Sequence, residues 1–283
     1  MRQSGGFGRS ALVCAALCAL AGCGAGAGGA GELADTALTL VQETAEIGAG
    51  GVTSSGTDAF PATATFNSAT NTVTFDIDGL PSIEAGISAT GGVTTFTGSF
   101  AGGTLEARTG QLDHAVFGTW VVDRAAGSTS LSRFHAGDET PVADARVLTG
   151  SATYEGDFTG VLTRTDAGVT ELVDVVGDAQ LTVTFGTGGS VAGSVTSAQA
   201  LTGALFPIND ISLSGTLTDA TFQGTATFGA DPGNDYSFTA GTAGQMDGAL
   251  YGPGAGEAAG VLSISEGNRI LVGGFGGDCT ACP

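Results

Sequence analysis

Alternation with a period of two constrains the fold of this chain more than any other feature. In residues 220–228, small and apolar side chains occupy every second position, and Thr or Gln occupies the others. Residues 71–77 show the same pattern, with Val, Phe and Ile alternating with Thr and Asp. Successive side chains of a β-strand point to opposite faces, so each segment predicts a strand with one apolar face. The chain is therefore predicted to be all-β.

Turn chemistry separates these segments at an even spacing. Residues 62–66 and 71–77 are predicted to form a hairpin, and residues 92–100, 151–158, 181–185, 211–217 and 241–277 supply further strands. The total of roughly eight or nine strands favours an antiparallel sandwich or barrel. Closure into a barrel is attractive because it leaves no open edge. A transmembrane barrel is the competing interpretation, but Thr and Ser would coat its outer face and aromatic girdles are missing.

Three segments depart from this pattern. Residues 32–47 predict a helix, although their Thr residues suit a strand equally well. Residues 112–124 contain Trp120, the only Trp, beside Phe117 and two Val residues, which indicates a hydrophobic core. Residues 128–144 are polar and contain Pro141, so they are predicted to be a loop.

The charge balance argues against two classes of partner. The sequence has 28 acidic residues and 8 basic ones, all of them Arg. Without Arg2 and Arg9, which lie in a predicted leader, the balance is 6 − 28 = −22. Such a charge repels the phosphates of nucleic acids and anionic lipid headgroups. A cationic partner fits the charge, but acids scattered for solubility are the favoured interpretation.

The N-terminus has the features of a lipoprotein leader. Residues 11–20 form an apolar run that is too short to span a bilayer of roughly 30 Å as a helix. The run ends in Leu-Ala-Gly before Cys23, which resembles the bacterial lipobox. We predict a signal peptide over residues 1–22, acylation of Cys23 and a flexible Gly/Ala tether over residues 23–31. Gly24, rather than Asp, after the Cys indicates the outer membrane as the destination.

Few residues suggest chemistry. No Ser/His/Asp arrangement and no carboxylate signature is evident, so we predict no enzyme activity, no metal and no cofactor. His114 and His135 are the only histidines. Each is either a haem axial ligand or an ordinary surface or core residue, and the second interpretation is favoured. Cys279 and Cys282 are predicted to form a local disulfide, with redox and zinc roles as minor alternatives.

One turn resembles a known family. Residues 246–261 contain a Tyr-Gly-Pro-x-Ala-x-Glu pattern in which Tyr251, Gly252, Pro253 and Glu257 match, although Leu replaces the usual preceding Phe. This pattern is similar to the C-terminal barrel of the transferrin-binding protein B family of surface lipoproteins. Residues 115–120, 150–160 and 272–276 resemble further elements of the family. Gly252 and Pro253 suit a turn, and Glu257 is expected to accept hydrogen bonds from the turn's own N–H groups, which makes these residues structural.

The resemblance implies a domain order and a function. It implies a β-rich handle over residues 32–146, an eight-stranded antiparallel barrel over residues 147–278 and a tail over residues 279–283. It further implies an outer-membrane lipoprotein at the cell surface that binds a host or environmental ligand through barrel and handle loops. That ligand is either a protein or a small nutrient such as haem or an iron carrier. The alternative is an accessory lipoprotein that partners an outer-membrane channel or transporter without a small ligand. The chain has room for a single lobe, so transferrin itself is not carried over. No ligand-contact residue is carried over either, because the family's binding sites lie in variable loops.

Overall fold

The computed structural model describes strands at residues 37–40, 43–48, 51–54, 62–67 and 72–77. It then describes the segments 80–90, 93–124, 128–166, 169–202 and 205–283. The predicted signal peptide, Cys23 and the tether lie outside these residues. In the part of the chain that is described, no helix is long and apolar enough to cross a membrane.

The handle is a single antiparallel sheet of ten strands. They are β1 (Ala37–Leu40), β2 (Glu43–Gly48), β3 (Gly51–Ser54), β4 (Ala62–Asn67), β5 (Thr72–Ile77), β6 (Ile83–Thr90), β7 (Val93–Phe100), β8 (Gly103–Gln111), β9 (Ala115–Arg124) and β10 (Ser128–Gly137). From β4 to β10 the order in the sheet follows the order in the chain, with β1 beside β4 and with β2 and β3 beyond β10. The predicted hairpin is confirmed as the β4–β5 pair.

The second sheet closes into an antiparallel barrel. Its strands are β11 (Ser151–Asp166), β12 (Val169–Thr184), β13 (Ser190–Leu201), β14 (Leu205–Pro207), β15 (Ile211–Thr218), β16 (Thr221–Phe228), β17 (Ala243–Tyr251), β18 (Glu257–Glu266) and β19 (Arg269–Ala281). Pairing of β12 with both β11 and β13 closes a ring of eight strands, and β14 adds a short strand to β13. A short helix, α1 (Val142–Ala145), connects the two domains, and a 3-10 helix (Pro253–Ala255) lies between β17 and β18. The predicted handle and eight-stranded barrel are confirmed.

Each domain has its own core. In β16 the alternation predicted from sequence is confirmed, because Phe222, Ala226 and Phe228 are buried while Thr221 and Thr225 are exposed. The barrel interior is filled by apolar side chains from all eight strands. In the handle, Trp120 stacks on Phe134 at 5.3 Å and meets Phe75 edge-on at 6.3 Å, which confirms its predicted core position.

Three expectations are wrong. The helix predicted over residues 32–47 is replaced by β1 and β2, because pairing with β4 and β10 satisfies their backbone within the sheet. The loop predicted over residues 128–144 contains β10 and α1. Arg133 and His135 of β10 are buried because a second layer, the barrel, packs on their face of the strand. The tail predicted to begin at residue 279 starts too early, since β19 continues through Ala281 beside β11.

Candidate functional site

Strand β9, which lies between β8 and β10 in the handle, is buried on both faces. Trp120 and Val122 point into the handle core, whereas Phe117 and Val121 point toward the barrel. Such double burial requires a second layer of structure over the sheet. That layer is the outer face of β11 and β17–β19, and we call the contact between the two domains the handle–barrel interface.

The two backbones approach most closely at a pair of glycines. A Cβ atom placed on Gly274 of β19 would lie 2.4 Å from the backbone N of Gly118 in β9. Only residues without a side chain allow two sheets to meet so closely. An apolar cluster lies beside this contact and joins the domains; its members are Val121, Leu131, Val161, Ile270 and Val272.

Charged pairs flank this apolar cluster on both sides. Arg108 of β8 contacts Asp174 of β12, and Nη2 of Arg133 in β10 lies 3.6 Å from Oδ1 of Asp247 in β17. In every pair the handle supplies the cation and the barrel the anion. Burial lowers the pKa of Arg133 to about 10, which leaves it charged at neutral pH. Burial raises the pKa of Asp174, and the neighbouring Arg108 offsets only part of that effect. Both pairs therefore place opposite charges across the handle–barrel interface.

His135 belongs to the same interface. Its Nδ1 lies 2.5 Å from the hydroxyl of Tyr251, and its Nε2 lies 3.4 Å from Oδ2 of Asp247. Burial raises the pKa of the Tyr251 hydroxyl, so this group stays protonated and donates to the imidazole or accepts from it. Because both ring nitrogens face protein groups and the side chain is buried, His135 is a core residue. His114 is half-buried, and its backbone rather than its ring makes the contact that matters below.

The Tyr251 turn docks on the handle. Gly252 and Gly254 adopt φ values of 70° and 63°, as the sequence predicts for this turn. Both carboxylate oxygens of Glu257 lie 2.9 Å from the backbone nitrogen of His114, which donates to them. The expectation that Glu257 binds the N–H groups of its own turn is thus replaced by a contact between the domains. From inside the barrel, the Tyr154 hydroxyl donates to the carbonyl of Ala255 at 2.9 Å and fixes the other side of the turn.

The predicted cysteine pair lies beside this turn. Cys279 and Cys282 are joined as a disulfide at the end of β19. The backbone N–H of Cys279 donates to the carbonyl of Gly256 at 2.8 Å. The C-terminal strand and the turn that docks on the handle are therefore attached to each other. In the described residues no group of three or more His, Cys, Asp or Glu could hold a metal ion.

The opposite end of the barrel has a different surface, which we call the loop end. Here β11, β13, β16 and β18 finish and their connections begin. Four of the exposed large hydrophobic residues in the described chain lie at this end: Val169, Leu172, Leu205 and Phe206. The ring of Phe206 lies 5.2 Å from that of Tyr236, which in turn carries Arg164 over its face at 5.6 Å.

Carboxylates dominate the charge of the loop end. Arg164 is engaged by Glu171 and Asp235 at 3.9 Å and 3.7 Å, so its charge is locally balanced. The carboxylates of the surrounding loops are Asp166, Asp210, Asp231, Asp235 and Glu266. Hydrogen bonds from Ser237 and the backbone of Gly233 lower the pKa of Asp231, which keeps it ionised. The loop end is thus apolar and surrounded by negative charge.

Comparison with known proteins agrees with this architecture. Residues 148–278 match the family described as C-lobe and N-lobe beta barrels of Tf-binding protein B. The matched residues span the barrel domain, from just before β11 to near the end of β19. The recognition made from the Tyr251 turn is therefore confirmed. A comparison with curated proteins found no match.

Solved structures share the fold of the handle and the barrel together. Intact Ap-TbpB is 17% identical with a TM-score of 0.51, and covers 84% of this chain. A transferrin binding protein B from Haemophilus parasuis is 15% identical with a TM-score of 0.52, again over 84% of this chain. The chain spans 46% and 45% of the two transferrin-binding proteins, about half their length.

Sequence reasoning found the turn but missed the charged residues of the handle–barrel interface. Arg108, Arg133 and Asp247 carry no motif, and Arg133 lies in the segment that was predicted to be a loop. The alternation of Leu131, Arg133 and His135 on one face of β10 is the signal that could have revealed them. Leu205 and Phe206 were also missed, although an adjacent apolar pair inside a Gly-rich connection is unusual.

Proposed function

We propose that the protein is a lipid-anchored surface protein of the outer membrane that binds another protein through its loop end. The observation that carries this proposal is the contrast between the two ends of the barrel. The interior is filled by the barrel's own side chains, and the Tyr251 end docks on the handle. Four of the six exposed large hydrophobic side chains of the described residues lie at the loop end, and exposed apolar patches mark interaction sites.

The barrel family supports a binding role. The solved neighbours that share the fold are named for binding transferrin, which is a protein ligand. Because this chain spans less than half of their length, transferrin itself is not proposed as its ligand. A protein is favoured over a small nutrient such as haem or an iron carrier, because aromatic and aliphatic side chains on an open surface suit a large partner.

The charge of the loop end specifies the partner further. Carboxylates outnumber basic side chains at the loop end, so a complementary protein presents apolar side chains within a basic surface. Complementary charge speeds association and makes binding weaken as ionic strength rises. We therefore expect affinity for the partner to fall between low and high salt.

Affinity capture tests the proposal. The purified wild-type protein and the double variant Leu205→Ser, Phe206→Ser are immobilised and exposed to solubilised membranes and to host fluids. The control is Val147→Ser, which removes an apolar side chain that is 76% exposed at the opposite end of the barrel. Wild type and control should retain the same protein, and the double variant should lose it. Equal retention by all three refutes the loop-end site, and a stoichiometric channel protein would favour the accessory role.

The anchor has its own test. Labelled palmitate should enter the wild-type protein and be absent from Cys23→Ala, because acylation requires the thiol. If the wild type carries no label, the proposed lipid anchor and the proposed outer-membrane localisation are both wrong. Loop-end binding would be unaffected by that result.

A further inference from the structure

The positions of the basic residues determine where a trypsin-like protease can cut the folded protein. The sequence contains no Lys, so a trypsin-like enzyme can cut only after its eight Arg residues. Six of these, all except Arg2 and Arg9, lie in the described chain. Their accessibility decides where the folded protein can be cleaved, which is a property separate from ligand binding.

Five of the six arginines are held inside sheets. Their backbones pair with neighbours on both sides, and the five are Arg108, Arg124, Arg133, Arg164 and Arg269. A protease needs an exposed and locally mobile segment, so each of these sites requires a strand to leave its sheet first. Two of them, Arg108 and Arg133, are in addition buried at the handle–barrel interface.

Arg146 is different. It follows α1, lies outside both sheets, and its side chain is 65% exposed. Local bonds alone shape its backbone: Arg146 N–H donates to Val142 at 3.1 Å, and Val147 N–H donates to Asp144 at 3.3 Å. Val142 and Val147 are themselves exposed by 46% and 76%. Opening this segment breaks one helical turn and leaves both sheets intact.

We propose that the Arg146–Val147 bond is the site at which a trypsin-like serine protease cuts the folded protein. Hydrolysis adds one water across the amide, leaving a carboxylate on Arg146 and an amine on Val147. The cut separates the handle from a barrel fragment of 283 − 146 = 137 residues. The handle–barrel interface spans the cut, so the two fragments remain bound to each other in native buffer.

Asp219 guards the site. Its carboxylate accepts from Nε and Nη2 of Arg146 at 2.8 Å and 3.0 Å, and a protease must displace it to bind the guanidinium. An exposed ion pair is weak, so Asp219→Asn should speed cleavage by only about 1.4- to 5-fold.

Limited digestion of the purified full chain with trypsin, followed by intact mass and N-terminal sequencing, tests the proposal. We expect a first product that begins Val-Leu-Thr-Gly, one peak on native size exclusion and two bands under denaturing conditions. Arg146→Gln should resist cleavage, with circular dichroism confirming its fold. A first cut after Arg124, Arg164 or Arg269, or no cut while denatured chain is digested fully, overturns the site. Fragments that separate in native buffer overturn the retained complex, and unchanged cleavage of Asp219→Asn overturns the guarding role.

Discussion

The closest approach between handle and barrel gives the sharpest prediction about stability. In Gly274→Ala the new Cβ would lie 2.4 Å from the backbone N of Gly118, where ordinary contact begins at 3.4 Å. The two backbones must therefore part by 3.4 − 2.4 = 1.0 Å at this point. A backbone atom cannot rotate away as a side chain does, so the whole interface has to give.

The magnitude follows from this separation. A radial gap of about 0.5–1 Å removes a quarter to a half of the dispersion energy between the atoms that part. The atoms affected include the apolar cluster around Val161 and Val272, which lies beside the glycine pair. Overpacking of this kind costs about 1–3 kcal/mol in the free energy of unfolding. A chain of this size then loses about 2–4 °C of Tm for each kcal/mol.

Urea denaturation followed by fluorescence of Trp120 measures the effect, with thermal melts as a second readout. The matched control is Gly86→Ala in β6, because a Cβ there meets nothing within 4 Å. This control should be neutral or slightly stabilising, since Ala restricts the unfolded chain more than Gly. Equal stability of Gly274→Ala and wild type, or equal loss in both variants, would refute the close contact between the domains.

Three further results are expected. Tyr251→Phe removes the partner of the buried His135 Nδ1 and should lower the free energy of unfolding by about 1–3 kcal/mol, as measured by denaturant titration. An unchanged midpoint would show that this hydrogen bond does not stabilise the interface. Burial, with a smaller contribution from the nearby charge of Asp178, raises the pKa of Asp157. The folded state therefore binds this proton more tightly than the unfolded state. Stability should therefore increase as pH falls from 7 toward about 5, as measured by Tm, and a decrease would contradict this assignment. Replacing Cys279 and Cys282 with Ser opens a four-residue ring and should cost about 2 kcal/mol, with the disulfide checked by mass before and after reduction.

The parts of the fold that follow local rules could be predicted from the sequence. Apolar and polar residues alternate in β5 and β16 because one face of each strand is buried and the other is closer to solvent. The Tyr251 turn could be predicted because positive φ at two positions demands Gly. In each case few residue types suit the position, so the residue pattern determines the local structure.

The parts of the fold that depend on packing between distant residues could not be predicted from the sequence. β10 carries Arg133 and His135 on the face that the barrel covers, and the barrel supplies partners for them from residues more than a hundred positions away. Strands β6, β8 and β13 were missed for a related reason. Their Gly and Ala residues give weak propensity, and pairing on both sides compensates for it. The strand count of eight or nine was therefore too low.

The glycine content and the proposed location of the binding surface have a common physical explanation. Two sheets that pack through backbone contact at Gly118 and Gly274 need small residues along the shared face, which makes the C-terminal strands rich in Gly. The same packing covers the outer face of β17–β19, and the side chains of Tyr251 and Glu257 contact the handle. The most recognisable motif of the chain is thus bound to its own protein and is unavailable to a ligand. Substitutions in the motif should change stability and leave binding intact, whereas substitutions of Phe206 should do the reverse. A variant of the Tyr251 turn that folds with normal stability but no longer captures the partner would break this separation.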